Sequence, residues 1–240
     1  MSQIAGLSAQ YIQVRRSGSG ELTYGGDQGF FKGALADSHD ERKQRLGCGI
    51  TALGDTLLYL ACHNEKYRTK ENKSYLARVL PEEEYREYYN FIYDFAGGFR
   101  KGARSGLSGL RLQHAFNRMA RRQSFPLRAK WGISGRKLYG RIKEMLGKDI
   151  PVILCVPMLF GRKNKGRGIW FYKKENGRYQ RTCIVSAHYI VITDVIKEEN
   201  EIYLKLSSWG KEYYINWKEY DELIHTHFLG TILGNILYIK

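Results

Sequence analysis

At 240 residues, with 43% hydrophobic and 26% charged side chains, the chain is long enough for one or two domains and too apolar for wholesale disorder. Its longest apolar run, Pro151 to Phe160, falls far short of the roughly 20 residues that cross a bilayer as a helix. Met1–Arg16 also lacks the basic-then-apolar order of an export signal, so a soluble cytoplasmic protein is expected.

The first 45 residues are rich in Gly and Ser and read as an ordered loop region, with Tyr24, Phe30 and Phe31 as anchors. From Gly49 to Cys62 the sequence is apolar nearly all round, interrupted by Asp55, which predicts a central buried helix. Pro81 opens a second helix to about Phe95, with Glu82, Glu83 and Glu84 in the first turn, where the helix dipole favours acids. Further helices are expected over Gly109–Arg122 and Gly135–Leu146.

After Gly147 the pattern turns to strands: Pro151–Val156, a hairpin of Ile169–Lys173 and Tyr179–Val185 around Asn176-Gly177, then Tyr189–Ile196, Glu201–Ser207 and Tyr213–Asn216. A short helix over Trp217–His225 and a strand over Thr231–Ile239 close the chain. Helices first and an antiparallel sheet second is the α+β layout, with no visible boundary to split 1–240 into separate domains.

Charge is the unusual quantity. Thirty-nine Lys and Arg against 24 Asp and Glu give +15, and Arg100–Lys143 holds 13 basic residues and no acidic one. A second basic cluster runs from Arg162 to Lys174. Such a field attracts phosphate backbones or acidic polypeptides. Phe116, Phe125, Trp131 and Tyr139 are interleaved with the first cluster, which keeps nucleic-acid binding open, although no recognised nucleic-acid motif accompanies it.

The chemistry concentrates at three places. Cys48, in Gly47-Cys48-Gly49, opens the apolar helix, where unpaired N–H groups and the helix dipole are expected to lower a thiol's pKa. Its small neighbours would let a carbonyl approach the sulfur. His188 begins an apolar strand and is the natural base for a thiol. About 20 residues on, Leu206-Ser207-Ser208-Trp209-Gly210 supplies a polar group to hold the imidazole's tautomer and an indole to shield it. Asp194 is a second candidate for that role, since alternation from His188 places it on the same strand face. Asp55 reads as a structural hydrogen-bonding group. No Cys-x-x-Cys occurs among Cys48, Cys62, Cys155 and Cys183, and nothing pairs His225 and His227 with a second ligand cluster, so neither a metal nor a cofactor is expected. Cys62, Cys155 and Cys183 are expected to be inert core residues.

Gly47-Cys48-Gly49-Ile50, Pro151-Val152-Ile153, His188-Tyr189-Ile190-Val191 and Ser207-Ser208-Trp209-Gly210 resemble, in that order, the papain-like cysteine peptidases. More narrowly they resemble the double-glycine (bacteriocin-leader) peptidase branch. The resemblance spans about Gln44 to Asn216 and implies a papain-like fold, a helical half followed by a sheet half. It implies a peptidase or amidase with Cys48 as nucleophile, His188 as base and Ser207 where the family carries an orienting Asn or Asp. It also implies an oxyanion glutamine, for which Gln44, four residues before Cys48, and Gln28 in the glycine-rich loop both stand as candidates. The family places that glutamine six residues before the cysteine, where this chain has Arg42, and Ile50 replaces the usual Pro. The substrate would be a peptide or protein, of acidic character given the charge. The competing expectation is a catalytically weak or inactive module of the same fold that binds an anionic partner through residues 100–143.

Overall fold

The computed structural model describes residues 2–33, 35, 38–77, 79–158 and 168–240. The chain runs β1 (Ser2–Gly6), β2 (Gln13–Arg15), α1 (His39–Leu46), α2 (Cys48–His63), β3 (Val79–Pro81), α3 (Glu82–Phe95), α4 (Gly109–Arg122), β4 (Ala129–Trp131) and α5 (Leu138–Gly147). There follow β5 (Val152–Val156), β6 (Ile169–Glu175), β7 (Arg178–Val185), β8 (His188–Glu198), β9 (Glu201–Ser208), β10 (Lys211–Asn216), α6 (Trp217–His225), α7 (Gly230–Leu233) and β11 (Leu237–Ile239). Helices thus dominate the first part and antiparallel strands the second, the α+β order expected from the sequence.

Helix α2 is buried from Gly49 through Ala61 except at Thr51, as its largely apolar composition requires. It packs against α3, α4, β5 and β8. Tyr85, Tyr88, Tyr89 and Ile92 give α3 one apolar face at helical spacing, and Leu112, Ala115, Phe116, Met119 and Ala120 do the same for α4. One continuous apolar core reaches from Tyr11 to Ile239.

Seven strands form the main sheet, in the order β1-β8-β9-β10-β6-β7, all antiparallel, with β5 also on β8. The eleven-residue β8 is its axis: β5 pairs with its first part, β1 with its last part, and β9 with its other edge. Asn176 and Gly177, both at positive φ, turn the β6–β7 hairpin as a type I′ turn should. Two pairs stand apart, β2 parallel to β3 and β11 antiparallel to β4.

Apart from the three-residue β3 and β4, which the sequence did not predict, the differences from the sequence expectation lie at the ends. Residues 2–6 are a sheet strand, and the loop region contains α1, whose only aliphatic residue is Leu46. Ser38 caps α1 by accepting from the Glu41 N–H, and Ser38-x-x-Glu41 is the sequence signal that marks this start. Near the C-terminus, the expected strand over Thr231–Ile239 is α7 followed by three residues of β11.

Much of the basic 100–143 segment serves the fold. Arg111 donates to the carbonyls of Ala96 and Gly98, Arg128 to that of Leu127, Arg118 lies 4.4 Å over the Phe95 ring, and Arg141 pairs with Glu144. Phe116 and Phe125 are core residues packed edge to face, which removes them as platforms for stacked bases. Of the second basic cluster, residues 162–167 lie outside the described residues.

Candidate active site

A narrow cleft where α2 meets the sheet is lined by Cys48, Thr51 and Asp55 of α2, by His188 and Tyr189 of β8, by Ser207, Ser208 and Trp209, and by Gly26 and Gln28. The sulfur and imidazole singled out in the sequence therefore share one cleft.

Helix α1 leads into α2 through Gly47 alone, which sits in helical conformation at φ −79° and ψ −3°. A Cβ on Gly47 would lie 2.1 Å from the Lys43 carbonyl oxygen and 2.3 Å from the Tyr89 hydroxyl. Glycine is there to let the two helices join tightly. The Gln44 carbonyl accepts from Gln28 Nε2. Cys48 is half-buried, and burial pushes its thiol above the ordinary value. This corrects the expectation of a lowered pKa: desolvation outweighs the backbone N–H groups of Tyr189, Gly49 and Cys48 that favour the thiolate.

His188 opens β8 directly after Ala187, a non-glycine residue at φ +50°, and is 7% exposed. Burial lowers its pKa to about 3, so the ring is neutral at pH 7. Its Nε2 lies 2.7 Å from Ser208 Oγ, and Trp209 stacks on the ring at 4.5 Å with 21° between the planes. The contact occupies Nε2 and suits either neutral tautomer, because the serine hydroxyl can accept or donate.

Ser208, not Ser207, is thus the hydroxyl on the imidazole. Ser207 pairs with Val191 across β8–β9, so Ser208 falls level with Ile190, on the face His188 shares two residues away. Ser207 instead donates to the Tyr24 carbonyl at 2.6 Å. Asp194 is not on the imidazole either. The ladder slips between Ile192 and Asp194, and its carboxylate accepts from Gln3 at 2.7 Å and from Thr193 at 3.0 Å. Six residues along β8 also put Asp194 about 20 Å from His188, so sharing a strand face could not bring it to the ring.

The glycine-rich loop reaches the site because both halves of the molecule hold it. Tyr24 N–H donates to the Gly210 carbonyl (2.8 Å), Gly210 N–H to the Gly26 carbonyl (3.0 Å), and Gly26 N–H to Asp55 (2.9 Å). Gly25 is indispensable: its φ is +79°, and a Cβ would stand 2.2 Å from Ser207 Oγ and 2.7 Å from Asp55. Asp55 is 1% exposed and also accepts from the Tyr85 hydroxyl at 2.6 Å, which makes it the structural group expected; burial raises its pKa to about 7. Phe30 and Phe31 are buried, as anticipated.

Of the two glutamines, Gln28 lines the cleft beside Cys48, whereas Gln44 lines a neighbouring cavity. Gln44 contributes the carbonyl that holds one Nε2 hydrogen of Gln28, leaving the amide's second hydrogen for a ligand. All four cysteines are free and none is fully buried. Cys155 shares a larger cavity with Cys48, its thiol pushed up to about 12 by burial. Among the described residues no cluster of three or more His, Cys, Asp or Glu suits a metal ion, and no helix is long and apolar enough to cross a membrane. No protein-family model, curated protein or solved structure compared with this chain matches it.

Proposed function

We propose that the protein is a thiol-dependent acyl-transfer enzyme of papain-like type, cleaving a peptide or other amide bond. The observation that carries this reading is the meeting of Cys48, His188 with its Nε2 on Ser208, and an amide donor from Gln28 in one cleft. At rest the pair is neutral thiol and neutral imidazole. As the Cys48 sulfur attacks the carbonyl carbon, its proton passes to His188 Nδ1. The oxygen takes the negative charge and is met by the Cys48 N–H and Gln28 Nε2. Collapse of the tetrahedral intermediate breaks the C–N bond, and the imidazolium gives its proton to the departing amine. Water, deprotonated by His188, then releases the acyl group as an acid and restores the thiol. Ser208 takes the place an amide or carboxylate fills in the family, a weaker hold on the tautomer that predicts a slower enzyme rather than none.

A peptidyl chloromethyl ketone tests this directly, because it needs both the thiol and the oxyanion donors. Labelling at Cys48 at least tenfold faster than at Cys62, Cys155 or Cys183, and lost in His188→Ala, is expected. The burial that raises the thiol and neutralises the imidazole favours a second reading, a catalytically silent module of the same fold. Equal, slow labelling of Cys48 and Cys62 would select that second reading.

A further inference from the structure

Two cavities share residues with the cleft. One, of about 570 Å³, shares Cys48 and Tyr189 with the cleft and is walled by Arg45, Arg104, Leu107 and Met158 among others. The second, of about 330 Å³, shares Gln28 and Trp209 with the cleft and is walled by Arg16, Asp27, Lys32 and Lys211. The chemistry decides which cavity takes which part of a substrate. The departing nitrogen must sit where the imidazole delivers its proton, and Trp209 covers that ring, so the leaving segment runs into the smaller cavity. The acyl segment stays on the sulfur and lies in the larger one.

Charge on both sides has one sign. No acidic residue walls the larger cavity; Arg45 is paired with Glu41, while Arg104 is exposed and makes no ion pair with a described residue. In the smaller cavity the one acid, Asp27, is neutralised by Arg16, and the exposed side chains of Lys32 and Lys211 have no acidic partner among the described residues. One uncompensated cation, Arg104, therefore walls the cavity that contains Cys48, and two, Lys32 and Lys211, wall the cavity that shares Gln28 and Trp209 with the cleft.

We infer that the cleft selects a peptide with acidic side chains on both sides of the bond to be cleaved, Arg104 reading the acyl side and Lys32 with Lys211 the leaving side. This rests on the reading of Cys48 as nucleophile, but its test separates the two. Alkylation of Cys48 by anionic iodoacetate and neutral iodoacetamide is compared, each rate normalised to that of free cysteine. The normalised ratio should favour iodoacetate by about three- to tenfold at low salt, decline as salt is added, and fall in Lys211→Glu and in Arg104→Glu. Peptides with Glu only after the scissile bond should lose turnover in Lys211→Glu, and those with Glu only before it in Arg104→Glu. Equal normalised rates, a Cys48 that neither reagent reaches, or variants that impair both peptides alike would overturn the proposal. A charge-selective thiol in a protein that cleaves neither peptide would instead sink the catalytic reading and leave the anion-selective cleft standing.

Discussion

The glycine-rich loop at residues 24–28 and the basic stretch at 100–143 make opposite impressions in sequence and in structure. The loop has almost no apolar content to hold it, yet it is fastened to the β9–β10 turn by two backbone hydrogen bonds and to α2 by Asp55, and it carries Gln28 to the cleft. The basic stretch looks like a ligand surface, yet many of its cations are bound to carbonyls, rings and Glu144. Net charge describes what a surface attracts, whereas backbone hydrogen bonds decide what a site is built from.

The largest test of this contrast is Gly25→Val. It forces a β-branched residue into the left-handed region and drives a Cβ against Ser207 and Asp55. Urea unfolding should show a loss of about 4 kcal/mol, against a change within about 0.5 kcal/mol for Arg121→Ala on the exposed side of α4. A Gly25 variant as stable as Arg121→Ala would mean that the loop is not a built element.

Next in size are two opposed pH effects. The folded state keeps His188 unprotonated down to about pH 3, while the unfolded chain binds that proton below about 6.5, so this group makes stability fall as pH drops through that window. Asp55 stays protonated in the fold up to about pH 7 but ionises near 3.8 when unfolded, so it makes stability fall as pH rises between those values. Over pH 4 to 6.5 the two nearly cancel. His188→Gln should unmask a decline with rising pH of up to about 1.4 kcal/mol per unit, and Asp55→Asn a rise of similar size. Denaturant midpoints across pH 4–6.5 that slope alike in both variants would refute this assignment.

How much of this was legible in the sequence follows from where the information is local. An all-apolar run marked α2, the Cys48 turn marked its start, and a histidine before an apolar strand marked β8, because burial and periodicity are written residue by residue. The identity of the imidazole's partner was not, since it depends on cross-strand register: Ser207 and Ser208 differ by one residue and so face opposite ways, while Asp194 lies about 20 Å further along β8. Gln28 could not be preferred over Gln44 without knowing that the loop folds back over α2. The serine pair offers a sharper version of the loop comparison. Ser208→Ala should slow chloromethyl ketone labelling of Cys48 about tenfold with little change in stability. Ser207→Ala should leave labelling within twofold and cost about 1 kcal/mol through the Tyr24 carbonyl.

The smallest effect addresses the basic stretch itself. Arg118 and Arg121 are three residues apart on α4, but only Arg118 lies over an aromatic ring, 4.4 Å from the Phe95 centroid. An arginine that serves the scaffold loses packing when truncated, whereas one held for an outside ligand does not. Arg118→Ala should therefore cost about 0.5–1 kcal/mol in urea unfolding, more than Arg121→Ala, and the difference should survive 0.5 M salt because Phe95 is uncharged and much of the lost contact is with its ring. If both truncations left stability untouched, the stretch would regain its claim as a ligand surface, and a polyanion such as heparin would then have to compete with iodoacetate for the cations beside Cys48.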